Sequence, residues 1–146
     1  MPVRSRVKGL TQGESLYLKE IYRCESEGSL PVTSVSMAVR LEVRPPSVVD
    51  MFAKLEGKEL IHRKKYGPVK LSTKGVEVAE DLIWRHRVLE TYFVSTFKMD
   101  RDEACEAASG IDSYVSEPVV EAMCQKLGHP ATCVHGYRIP HPKEGK

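Results

Sequence analysis

His86 and Glu90 stand four residues apart in this 146-residue chain. On a helix that spacing puts both side chains on one face, one turn apart, where an imidazole and a carboxylate can hold a single cation. The same pair can also satisfy itself as a hydrogen-bonded His and Glu on a half-buried helix. Burying an ionised Glu among apolar neighbours is costly unless a metal, a charged partner or hydrogen bonds compensate. Cys133 and His135 form a Cys-x-His in a loop containing Gly128 and Gly136, which offers a thiolate and an imidazole to one ion while the glycines let the backbone come close. Cys105 is a further thiol able to reach the same region, or an inert core cysteine. No general base with motif spacing accompanies these groups, which argues against a small zinc hydrolase built on His86 and Glu90, so the chain is read as a non-enzyme without catalytic residues.

A long helix must carry the first pair. From Ser72 or Thr73 to about Phe97, the residues Val76, Ala79, Ile83, His86, Glu90, Phe93 and Phe97 recur every three or four positions and form one stripe. Asp100 then caps a shorter helix that bears Cys105, with Glu103 at the capping-box position. Ser116 and Pro118 open another helix, ended near Leu127 by Gly128. The last six residues, His141 to Lys146, read as a flexible tail.

The first half has a different order. Residues 14–26 have helical spacing at Leu16, Tyr17, Ile21 and Cys24, with Gly28 as a stop. Thr33 is a good N-cap for a short helix through Leu41, in which Val35, Ala38 and Val39 are expected to face one way. Pro45 and Pro46 fit only the first turn of a third helix, which runs to about Glu56 and buries Val48, Phe52 and Leu55. After Gly57 the pattern becomes extended: Leu60 to His62, a turn at Tyr66, Gly67 and Pro68, then Val69 to Leu71. Short helix, tight turn, short helix and basic hairpin is the order of a winged helix-turn-helix, whose second helix enters the major groove while the wing reaches the backbone. The fold class expected is therefore mainly α: an N-terminal winged helix-turn-helix with a two-stranded wing, then a helical domain.

Charge divides along the same line. Residues 1–75 carry 14 Lys and Arg against 8 Asp and Glu, a balance of +6, and residues 76–146 carry 8 against 12, a balance of −4. A basic half beside an acidic half suits a phosphate-binding module joined to one that does not bind phosphate. Ser47 and Asp50 are placed to reach base edges. Arg44, Lys54, Lys64, Lys65, Tyr66 and Lys70 are the expected phosphate contacts, helped by Arg4, Arg6 and Lys8, with Pro46 at the groove-facing start of the recognition helix. The hydrophobic content of 41% is ordinary for a soluble globular protein. Residues 1–10 lack the apolar core of a secretory signal, and the four cysteines show no CxxC pair, so a cytoplasmic protein without membrane association is expected.

Over nearly its whole length the chain resembles the metal-dependent repressor family that includes the diphtheria toxin repressor and the manganese transport regulator. The resemblance rests on Tyr17, Leu18, Ile21 and Tyr22, on Arg44 to Val48, and on Val69 to Gly75. It continues through His86, Arg87 and Glu90, Met99 to Cys105, and Cys133 to Gly136 with Ile139 and Pro140. It implies a DNA-binding domain over residues 1–74, a helical dimerisation and metal-binding domain over 75–140, and a tail over 141–146. It also implies a homodimer on palindromic double-stranded DNA, repressing metal-homeostasis genes in response to a divalent ion. By position, His86 and Glu90 match one family metal site, Cys105 falls where some members have a histidine ligand, and Cys133 with His135 matches a pair used by others. A second family site is eroded here, with Leu16, Ser109, Asp112 and Ser113 at its ligand positions and only Asp112 charged. A thiolate and imidazole set favours Fe²⁺, with Zn²⁺ or Mn²⁺ as alternatives, over Mg²⁺ or Ca²⁺. An oxidisable thiol ligand would also permit redox sensing. The competing readings are a winged-helix regulator whose metal is purely structural, or one with no metal.

Overall fold

The computed structural model describes residues 9–28, 31–64 and 67–142, and its chain forms two compact units. Gly13–Ala79 makes one; the segment ending at Gln12, with the chain from Glu80 onward, makes the other. Among the described residues there are six helices and one two-stranded antiparallel sheet.

The first unit holds α1 (Gln12–Glu27, apart from its first residue), α2 (Ser34–Leu41), α3 (Pro45–Gly57), β1 (Ile61–Arg63), β2 (Val69–Leu71) and the start of α4 (Thr73–Phe97). Thr33 caps α2 in a full capping box: its hydroxyl accepts from Ser36 N, and Ser36 Oγ accepts from Thr33 N. Glu42 closes the helix in the left-handed region, with φ 56°. Arg44 is extended, as a residue before proline must be, and Pro45 starts α3 at once. The two helices are thus joined by a tight turn. Val48, Phe52 and Leu55 form the buried stripe of α3, as their spacing predicts. In α2, however, Met37 and Ala38 are buried, while Val35 and Val39 are 63% and 74% exposed. Of the three residues expected to share a face, only Ala38 is buried, and Met37 joins it there.

The wing pairs Ile61 with Leu71 and Arg63 with Val69, and a single bridge joins Val69 to Val32 ahead of α2. Glu25 of α1 accepts from Leu71 N at 2.8 Å, satisfying an edge of the hairpin. Ser72 links the hairpin to α4 with one hydroxyl: it donates to Glu59 O at 2.7 Å and accepts from Gly75 N at 2.9 Å. Gly75 is required there, because a Cβ would lie 1.9 Å from Leu60 O.

The second unit is helical. It comprises the rest of α4, then α5 (Arg101–Ile111) and α6 (Glu117–Lys126), followed by an irregular segment to Pro142. Asp100 caps α5 by accepting from Asp102 N and Glu103 N. Residues 82–90 of α4 are buried on every side, which is more than the single stripe their spacing suggests; Phe97, at the end of that stripe, is exposed. Trp84, Val88, Val120, Cys124, Cys133 and Ile139 form the core of this unit. Burying a side chain as large as that of Trp84 or Val88 contributes roughly 1.5–3 kcal/mol. This core fixes the segment bearing Cys133 against α4. Among the described residues, no helix is long and apolar enough to cross a membrane.

Candidate metal centre and nucleic-acid interface

α4 presents His86 and Glu90 from its most deeply buried stretch, with side chains 1% and 3% exposed. Their facing atoms, Nε2 and Oε2, are 3.5 Å apart. From α5, Cys105 Sγ lies 3.4 Å from the same Nε2. From the segment after α6, His135 Nδ1 lies 3.4 Å from Glu90 Oε2, and Cys133 offers its sulfur beside them. The five residues singled out in the sequence are therefore brought together. They form two overlapping triads, His86 with Glu90 and Cys105, and Glu90 with Cys133 and His135, each with its donor atoms within 4.8 Å of one another. Glu90 is common to both.

The donor set fits a transition-metal ion. Ligands about 2.0–2.3 Å from a tetrahedral centre lie roughly 3.3–3.7 Å from each other, which brackets the separations around Glu90. Glu90 Oε2 is buried with the His86 and His135 nitrogens 3.5 and 3.4 Å away but without a hydrogen bond of good geometry, so a cation would offset part of the cost of burying this carboxylate. Burial alone would push the Glu90 carboxyl up, but His86, Cys133 and His135 hold it below its ordinary value of 4.5. Burial raises the Cys133 thiol, an effect the backbone amides of His135 and Tyr137 oppose by favouring the thiolate.

The surrounding groups orient these donors. His86 Nδ1 lies 3.0 Å from Asp112 Oδ2. Asp112 holds a proton on Nδ1, so that with a cation bound Nε2 can give it a lone pair, as in carboxylate–histidine–metal arrangements. Asp112 is fully buried. Its sequence assignment to an eroded second site missed this positioning role, for which no local spacing gives a signal. Ser109 and Ser113, the other two positions of that site, both engage Gln12: its amide donates to Ser109 O, and Ser113 Oγ donates to its side-chain oxygen, each at 2.7 Å. Leu16 is 37% exposed. Arg87, buried on α4, donates to Arg138 O and lies over the Tyr137 ring at 5.3 Å, steadying the segment after Cys133 and His135. The bridge between Thr132 and Arg138 and the left-handed Gly136 (φ 86°) fold that segment tightly. His141, expected to begin a flexible tail, is instead held by its Nε2 at 2.8 Å from Pro130 O.

On the winged-helix unit, Arg44, Pro46, Ser47, Asp50 and Lys54 are exposed along the start and outer face of α3, and Lys64 and Lys70 are exposed on the wing. Arg44 makes no side-chain cap for α3. Lys65, Tyr66, Arg4, Arg6 and Lys8 lie outside the described residues. Val49 and Val43, which the charge-based reading did not name, are 41% and 39% exposed.

Comparison with known proteins matches both units in order. Residues 10–69 match the iron-dependent repressor N-terminal DNA-binding domain, and residues 72–141 the iron-dependent repressor metal-binding and dimerisation domain. The chain is 31% identical over 101 residues to the HTH-type transcriptional regulator MntR of Bacillus velezensis, covering 68% of this chain and 69% of that protein. It is 28% identical over 131 residues to the iron-dependent repressor IdeR of Mycobacterium leprae, covering 90% of this chain and 56% of that one. A structure of the manganese regulator SloR superposes with a TM-score of 0.80 at 28% identity, covering 94% of this chain and 62% of that one. The chain thus spans little more than half the length of the last two. With both characteristic domains matched in order and a winged helix followed by a helical domain in the fold, the chain belongs to the iron-dependent repressor family of metal-dependent transcriptional regulators.

Proposed function

We propose that this chain represses transcription as a homodimer on palindromic operator DNA in response to a divalent metal, with Fe²⁺ the expected ion and Zn²⁺ or Mn²⁺ the alternatives. The observation that carries the reading is the convergence of His86, Glu90, Cys105, Cys133 and His135 around a buried Glu90 oxygen that lacks a hydrogen bond of good geometry. These five would hold the ion, and a bound ion supplies positive charge to Glu90 and the thiolates. The two thiols favour Fe²⁺ or Zn²⁺ over a harder ion. Relatives named as iron-dependent and manganese regulators support metal response in general. Residues 1–74 are assigned to DNA binding and 75–140 to metal binding and dimerisation. Ser47 and Asp50 read base edges; Arg44, Lys54, Lys64, Lys65, Tyr66 and Lys70 hold phosphates. A shallow apolar groove of about 350 Å³, lined by Tyr92 of α4 and by Pro118, Val119, Ala122, Met123 and Lys126, supports self-association. Metal and DNA affinity are linked, so each changes the other by the same factor.

A gel shift with operator-containing DNA tests this, run with chelator and then with Fe²⁺, Mn²⁺ or Zn²⁺ restored. Loss of the shift on chelation and its return with one ion is expected. An unchanged shift on chelation would favour a structural metal or a metal-free regulator, and no shift under any condition would sink the DNA-binding reading.

A further inference from the structure

A second group of ligating side chains lies at the end of α6, apart from the donors around Glu90. Cys124 is fully buried in the core of the helical unit, and its Sγ lies 3.3 Å from His129 Nδ1 and 3.6 Å from His141 Nδ1. The three donor atoms all fall within 4.8 Å of one another, and both histidines are exposed. His129 is turned back over the helix end by left-handed backbone at Gly128 and itself, with φ 78° and 52°. The rings of His129 and His141 meet edge to face, 6.1 Å apart.

Proton bookkeeping fixes one ligand of this group. Pro130 O can only accept, so the proton of neutral His141 sits on Nε2, and Nδ1 presents a lone pair to the sulfur. The thiol proton can go to that lone pair, and His129 either donates to the sulfur or presents a second lone pair according to its tautomer. Burial raises the Cys124 thiol, and the wholly buried indole N–H of Trp84 beside the sulfur opposes that rise. A donor held toward the sulfur and a histidine tautomer fixed by a carbonyl are the outer partners that a metal thiolate and a metal-bound imidazole require.

We propose that Cys124, His129 and His141 form a second metal site, taking Zn²⁺ through one thiolate and two imidazole nitrogens with a fourth position open to solvent. The set is thiolate and imidazole without carboxylate, which suits Zn²⁺ and disfavours Mn²⁺ or Mg²⁺. Its two histidines bracket residues 130–140, so the ion clasps both ends of the segment that carries Cys133 and His135.

Because Cys124 is a core residue, the exposed histidines are the ones to change; asparagine tolerates the left-handed backbone at His129. Chelator-stripped protein is titrated with Zn²⁺ against a chromophoric chelator. The native chain is expected to take up one more equivalent per chain than the His129→Asn, His141→Ala double variant. The His86→Ala, Glu90→Gln double variant keeps this equivalent while losing that of the Glu90 centre. In that second protein, bound Co²⁺ shows a thiolate-to-metal absorption band, which disappears when His129 and His141 are also replaced. Equal Zn²⁺ stoichiometry and affinity with and without the two histidines would overturn the proposal. So would a Co²⁺ band indifferent to them, or loss of every equivalent on changing His86 and Glu90 alone.

Discussion

Asp112 and His86 are 26 positions apart, yet one carboxylate oxygen of Asp112 sets which nitrogen of His86 keeps its proton. In the proposed centre this makes Asp112 a positioning residue. Asp112→Asn is expected to weaken metal binding about 10–100-fold. Competition titration measures the loss, and the ¹⁵N shifts of His86 should show its proton no longer confined to Nδ1; an unchanged affinity would show that Asp112 only fills space. The five residues that converge were singled out in the sequence by their types and spacing, as a His and Glu one helical turn apart, a Cys-x-His between glycines and a lone thiol, and by the family resemblance. Asp112 was legible only as a carboxylate. What it touches is decided by the approach of the end of α5 to α4, which no spacing along the chain encodes. The same holds for Cys124, His129 and His141, whose separations of five and twelve residues match no motif.

At the scale of elements, close contacts set the tolerance to change. α4 leaves the wing so near Leu60 O that Gly75→Ala forces either the helix or the backbone at Leu60 to move. A loss of roughly 2–4 kcal/mol is expected, read as a lowered denaturation midpoint, with the overpacking borne by backbone that cannot rotate away. α1 and α2 are tied by Glu20, which pairs with Arg23 on its own helix and with Arg40 at 2.6 Å. Burial would raise the Glu20 carboxyl, but the two arginines outweigh it and hold the group below its ordinary value of 4.5. Its folded value lies below the unfolded one, so the ionised form supports the fold above about pH 4.5, and that support disappears as pH falls through the lower value. Glu20→Gln should cost about 1–2 kcal/mol at neutral pH and flatten the acid limb of a stability–pH curve; an identical limb would exclude the ion pairs as its source. The helices and wing were readable ahead of the structure because Thr33, Pro45, Pro46 and Gly28 act locally, through capping and fixed φ. The inward face of α2 was not, since Val35 and Val39 compete with Met37 and Ala38 on two turns of helix, and only the packing decides between them.

For the whole molecule, the winged-helix unit Gly13–Ala79 carries 11 Lys and Arg against 9 Asp and Glu, a balance of +2, and Arg4, Arg6 and Lys8, which add to the basic half of the sequence, lie outside the described residues. Arg44→Ala is expected to weaken binding to every DNA sequence alike and to lower the slope of log affinity against log salt by about 1. Affinity unchanged across a salt series would remove Arg44 from the interface. Glu90 gives the proposed centre its selectivity in another sense. It is the only donor shared by the triad on α4 and α5 and by the triad on the segment after α6, so it works as an AND gate. A hard ion, content with oxygen and nitrogen, can be served by His86 and Glu90 and leave the sulfurs protonated. Only a thiophilic ion draws in both Cys105 and Cys133, so the centre tests whether an ion can knit three distant stretches of chain into one, as well as whether it binds.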